Sequence, residues 1–162
     1  MTFWHKLTRH PDVFRGAINL WPPFVGAGIF VDEIAPDYRH MRVLLKDRIV
    51  NRNYVGCHFG GSLFAMTDPF YMLMLIQILG PKYYVWDVSA EITFLKPAYK
   101  TAHVDFEVTE DHLHRILENT ANGEKHEEVF ALSIKNAQDE VVARVRKTLY
   151  VRLKPEHRPK PI

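Results

Sequence analysis

Phe70-Tyr71-Met72-Leu73-Met74-Leu75-Ile76-Gln77-Ile78-Leu79 is apolar on nearly every face of a helix, with Gln77 its one polar interruption. A helix without a polar face must be surrounded by protein on most sides. The run is about half the ~20 residues that a membrane-spanning helix needs, so a core helix is expected and membrane insertion is not. Upstream the helical pattern reaches back to about His58, and Gly80-Pro81 stops it. A helix from His58 to Leu79 would span ~33 Å. A small sheet covers that length only by wrapping around it.

The flanking sequence supplies such a sheet. Residues 12–21 place Val13, Phe14, Ala17, Ile18 and Trp21 on one side of a helix that Pro22-Pro23 ends. Gly28 to Ala35 and Arg39 to Lys46 read as strands joined by a tight turn at Pro36-Asp37. After the long helix, Val85 to Leu95 sets Val88, Ala90, Ile92 and Phe94 on one face, and Ala102 to Val108 does so with Val104, Phe106 and Val108. Glu110 to Ala121 reads as a short helix behind Thr109 as N-cap, stopped by Asn122-Gly123. Lys125 to Lys135 and Val141 to Leu153 form a hairpin. Its second strand alternates Val141, Ala143, Val145, Lys147, Leu149 and Val151 with Val142, Arg144, Arg146, Thr148 and Tyr150. The fold class that satisfies this order is α+β, a curved antiparallel sheet gripping one long central helix. An N-terminal helical segment (residues 1–24), a short helical insertion and a flexible tail (residues 155–162) complete a single domain over residues 1–162. Such a sheet leaves an edge strand and a broad outer face, both of which invite a second copy.

Bulk properties narrow the function. With 162 residues, 47% hydrophobic and 25% charged, the chain fits one soluble domain. A net charge of +2, with basic residues scattered except for Lys154, Arg158 and Lys160, does not argue for nucleic acid. Cys57 is the single cysteine, and no Cys/His pair has zinc-finger spacing, so neither a disulfide nor a metal site is expected. Residues 1–20 carry Lys6, Arg9, Asp12 and Arg15 and lack the apolar core of a signal peptide, which makes a cytoplasmic location the expectation.

The chemistry concentrates in Asn53-Tyr-Val-Gly56-Cys57-His58-Phe59-Gly60-Gly61-Ser62-Leu-Phe-Ala-Met-Thr67-Asp68. Two glycines at a helix start let the backbone approach a ligand. The unpaired N–H groups of the first turn suit the oxyanion formed when a thioester carbonyl is attacked. Asp68 sits between apolar flanks, and Pro69 after it removes a helical hydrogen bond and kinks the chain there. Each residue also has a plainer reading. Asp68 could be a carboxylate tied to a neighbour at a proline kink. The glycines could serve close packing, Asn53 a turn, and His58 the loop before the helix. Cys57 reads as a small buried residue.

The Asn53…Gly56…Gly60-Gly61…Asp68 spacing resembles the signature of hotdog-fold acyl-CoA thioesterases, the phenylacetyl-CoA thioesterase-like group in particular. The similarity runs in strand order from about Gly28 to Leu153 and includes Ile92-Thr93-Phe94-Leu95-Lys96-Pro97-Ala98. The N-terminal helix and the insertion resemble a branch catalogued as a domain of unknown function and described as tetrameric acyl-CoA thioesterases. The resemblance implies hydrolysis of an acyl-CoA thioester without a cofactor, by a homo-oligomer that is a dimer or a dimer of dimers. It implies Asp68 as general base or nucleophile, the Gly60 N–H as the group polarising the carbonyl, and Asn53 as a positioning group. Gly61, His58 and Phe59 would line the substrate, and Asp87 would reach the site from the neighbouring subunit. Phe59 stands where the family has histidine, and Asp87 where it has Ser or Thr. The competing expectation is a non-catalytic acyl-CoA or fatty-acid binding protein.

Overall fold

The computed structural model describes residues 10–159. Helix α1 (Pro11–Asn19) buries Phe14 and Ile18 and leaves Val13 exposed. The Asn19 carboxamide then clamps the Val31 peptide, donating to its carbonyl at 2.9 Å and accepting from its N–H at 2.7 Å. Pro22-Pro23 ends α1 as expected and also opens a second helix, α2 (Pro22–Ala27). Proline suits a first helical turn, where its missing N–H has no partner to lose. Gly28, at φ 77°, closes α2 in the left-handed region.

Strands β1 (Ile29–Ile34), β2 (His40–Leu45), β3 (Tyr83–Phe94), β4 (Ala102–Glu107), β5 (His126–Lys135) and β6 (Val141–Leu153) form one antiparallel sheet in the order β1-β2-β4-β5-β6-β3. The two strands next to the central helices in sequence, β2 and β3, therefore lie far apart in the sheet. The helices between them cross its concave face.

That crossing is not one helix. The stretch expected as a single helix from His58 to Leu79 is divided into α3 (Gly60–Ala65) and α4 (Phe70–Leu79), with His58 and Phe59 extended before them. Residues 66–69 leave the helical path because Pro69 has no N–H to give. The Thr67 hydroxyl turns back to donate to the Phe64 carbonyl at 2.7 Å. The expected kink at Asp68 is thus a full break. Although the run Gly60–Lys82 has the length and apolarity of a membrane span, α4 packs one face into the sheet and leaves its remaining side chains half-buried. Phe70, Tyr71, Met74 and Leu75 are buried in it, and Phe70 lies between Phe24 and Phe106 at ring separations of 5.6 and 5.0 Å.

Two strand-level expectations need correction. The phase Val88-Ala90-Ile92-Phe94 is interrupted, because a bulge between Asp87 and Ser89 leaves Val88 exposed. Asp87 then pairs with Leu149 on the inner face of β6. The tail expected to fray forms a short turn at Pro155–His157, and the Arg158 guanidinium donates to the Leu153 carbonyl at 2.9 Å. Residues 160–162 of that tail, like residues 1–9 of the N-terminal segment, lie outside the described residues.

The insertion helix α5 (Glu110–Thr120) is capped by Thr109, whose hydroxyl accepts from the His112 N–H. The Thr109 N–H donates in turn to His112 Nδ1 at 3.1 Å, which requires a neutral imidazole. Burial is the main influence on His112 and pushes its pKa below the usual 6.5, against the pull of Glu128. A depressed histidine binds fewer protons folded than unfolded, so the stability it supports is present above about pH 6.5 and is lost as the pH falls through that region. We expect the melting temperature to drop between about pH 7.5 and about pH 5.5, and to drop less in His112→Gln. Thermal melts of both proteins at the two pH values check this.

Candidate functional site

The residue that organises the site is Lys147, in the middle of β6. It falls on the inward phase of its strand, between Val145 and Leu149, and is 1% exposed. Placing an ammonium there costs several kcal/mol unless opposite charges meet it. Two do. Lys147 Nζ donates to Asp68 Oδ1 at 2.6 Å and lies 2.9 Å from Asp87 Oδ1. The break before Pro69 supplies the first carboxylate, and the bulge in β3 supplies the second. Both irregularities of the fold therefore end on one nitrogen.

The two carboxylates differ in access. The Asp68 side chain is 60% exposed, so the carboxylate is held at Oδ1 by a buried group and is otherwise accessible. Asp87 is 29% exposed and sits deeper. Asp87, expected to come from the neighbouring subunit, stands beside Asp68 in the same chain, because the bulge turns it toward β6. Sequence reading passed over Lys147, although its signal was there: a lysine in the apolar phase of an alternating strand.

The loop leading into α3 is built largely on itself. Asn51 is buried and donates to the carbonyls of Ala27 at 2.9 Å and Lys46 at 2.8 Å, while its Oδ1 accepts from the Arg48 N–H. Asn53 uses Oδ1 to accept from the N–H groups of Val55 at 3.0 Å and Cys57 at 3.2 Å, and its amide donates to Cys57 Sγ. Asn53 thus shapes the turn through Gly56, which has φ 85°. His58 is buried, with Nε2 directed at the Lys100 carbonyl, so the proton belongs on Nε2. Its Nδ1 is buried without a hydrogen-bond partner.

Gly60 and Gly61 begin α3, where helix geometry leaves the first N–H groups without an intrahelical acceptor. The Ser62 and Leu63 N–H groups turn to the Phe59 carbonyl. Both glycines also lie under aromatic rings. A Cβ on Gly60 would stand 3.2 Å from the Phe94 ring, and one on Gly61 would overlap the ring of Phe59. Phe59 and Phe94 are themselves more than half exposed.

A cleft of 920 Å³ opens between the turn joining β1 to β2, the C-terminal half of α4, the start of β3 and the start of α5. Met72, Ile76, Val85, Trp86, Leu113 and Lys154 are among the residues that line it. The ion triad does not line it. Tyr71 seals the other side of α4, stacked on Phe130 at 4.0 Å, with burial raising its pKa to about 12. Among the described residues no group of three His, Cys, Asp or Glu side chains gathers as metal ligands.

Asn53→Ala removes the acceptor for two backbone N–H groups, and each net hydrogen bond contributes roughly 0.5–1.5 kcal/mol. We expect a loss of ~1–3 kcal/mol in urea unfolding with the far-UV spectrum unchanged.

The family described as Domain of unknown function (DUF4442) matches residues 12–151. No curated protein matches the sequence. Among solved structures, PA5026 from Pseudomonas aeruginosa, called a probable thioesterase, is 18% identical with a TM-score of 0.77, over 90% of this chain and 99% of that one. Thioesterase HI1161 from Haemophilus influenzae is 13% identical with a TM-score of 0.65, over 90% and 92% of the two chains. The protein smu.793 from Streptococcus mutans, solved with acetyl CoA bound, is 20% identical with a TM-score of 0.56, over 78% of this chain and 90% of that one. The architecture shared with them is the hotdog fold.

Proposed function

Since the chain belongs to the DUF4442 family, within the hotdog-fold thioesterase superfamily, we propose that it hydrolyses an acyl-CoA thioester through Asp68. The observation that carries this reading is an exposed carboxylate pinned at one oxygen by a buried ammonium. Structures of the same fold include proteins called thioesterases and one solved with acetyl CoA.

In the proposed reaction Asp68 Oδ2 takes a proton from water as the water oxygen attacks the thioester carbonyl carbon. The carbon–sulfur bond then breaks, its electron pair leaves with the thiolate, and the proton passes from Asp68 to that sulfur. The Gly60 N–H at the start of α3 polarises the carbonyl, and an oxyanion held by such a donor is stabilised by a few kcal/mol. Attack by Asp68 itself, through an anhydride that water opens, uses the same oxygen. Gly61 and Phe59 border the substrate, while Asn53 and His58 act at one remove by fixing the loop that presents Gly60. The cleft has the volume of a ligand pocket.

The working unit is a homodimer at least, and pairs of dimers are compatible with it. Strand β3 is a sheet edge that exposes Trp86, Val88 and Phe94, the surface that a second copy would cover. A reducing, cytoplasmic setting suits the single buried thiol of Cys57.

The test is thiol release from a panel of short, medium, long and aromatic acyl-CoAs, with wild type compared to Asp68→Asn. Loss of a general base costs ~10²–10⁴-fold in rate. We expect a loss of that size at an unchanged melting temperature. A variant retaining most of the wild-type rate would remove Asp68 from the reaction. A wild type that is inert on the whole panel, yet melts higher with acyl-CoA, identifies a binding protein instead.

A further inference from the structure

We infer that Lys147 is the positioning residue of this site, with Asp87 as its second counter-ion, and that Asp68 is competent only while Lys147 holds it. The inference rests on the hydrolase reading above. It starts from an asymmetry. If the pairing served only to neutralise a buried lysine, both carboxylates would be expected behind the sheet with it. Instead one end of the triad is 1% exposed and the other 60% exposed. Lys147 thus works as a post rooted in β6 whose tip reaches one oxygen of an otherwise free side chain. Among the described residues Asp68 makes no other side-chain hydrogen bond, so this contact alone selects its orientation.

The surroundings fix the post itself. Across the sheet Lys147 pairs with Ala90 of β3 and Phe130 of β5, and Phe130 stacks on Tyr71 of α4. The small Ala90 leaves room for the ammonium to run toward Asp87. With Asp87 in place the ammonium is shared, and the triad carries a net single negative charge. A lone lysine–aspartate pair would instead be neutral and would offer attacking water a weaker anion. Lys147 touches no substrate. Its part is to set where Asp68 Oδ2 points.

Positioning and folding are separated by four proteins: wild type, Lys147→Met, Lys147→Arg, and the double variant Lys147→Met/Asp87→Leu. Each is assayed for kcat and KM on the most active member of the acyl-CoA panel, with melting temperature in parallel. Displacing a reacting group by about 1 Å costs on the order of 10²-fold. In Lys147→Met we expect kcat to fall by that factor or more, with KM within about threefold. The double variant replaces the ammonium and its deeper counter-ion by apolar groups. It should melt near wild type while kcat stays low. Lys147→Arg should recover part of kcat, since it restores a cation near Asp68. A double variant that regains both melting temperature and kcat shows that Lys147 serves the fold alone, and overturns the inference. So does a fall confined to KM. A wild type inert on every substrate overturns the hydrolase reading itself and this inference with it, an outcome distinct from either of those.

Discussion

Burying one ammonium group is the constraint on which the rest of this molecule turns. A lysine on the inner face of a sheet is tolerated only if the chain brings negative charge to it, and charge is hard to bring into a core. Here it arrives by two departures from regular structure. The central helix breaks so that Asp68 can turn toward the sheet, and β3 takes an extra residue so that Asp87 can turn toward β6. Neither departure is a defect in an otherwise ideal fold. Each is the local cost of assembling three charges from three elements far apart in sequence.

The same reasoning explains why the fold was legible and the site only half so. Alternation in β6, the cap at Thr109 and the stop at Gly80-Pro81 are local signals, and the elements follow them to within a few residues. The fully apolar face of Phe70–Leu79 demanded an enclosing sheet, and one is there. Asp68 stood out because a carboxylate between apolar flanks needs a partner. What the partner was could not be read locally, since Lys147 lies 79 residues away. Asp87 was assigned to a subunit boundary by the resemblance, which takes that group from the neighbouring subunit's third strand. A bulge leaves little mark in composition, so its change of phase was invisible.

The glycines before α3 show how one residue can answer two demands. Read from sequence, Gly60-Gly61 offered exposed N–H groups to a ligand. In the fold they also make room for the rings of Phe94 and Phe59. Those rings stand where the resemblance would have placed an imidazole and its surroundings. A ring with no titratable group takes no proton, so in the proposed reaction that part falls to Asp68 alone. His58, one position earlier, is directed away to the Lys100 carbonyl and braces the loop.

The bulge at Val88 also sets the register of β3. Drawing Val88 into the ladder opposite Leu149 would let the strand run straight and pair with β6 at full length, and would move Asp87 opposite Tyr150. By the usual measures of a sheet such a chain would be sound. It would nonetheless swing Asp87 to the opposite face and strand Lys147 with a single counter-ion. The sheet by itself would accept either register, and only the buried ammonium of Lys147 tells them apart.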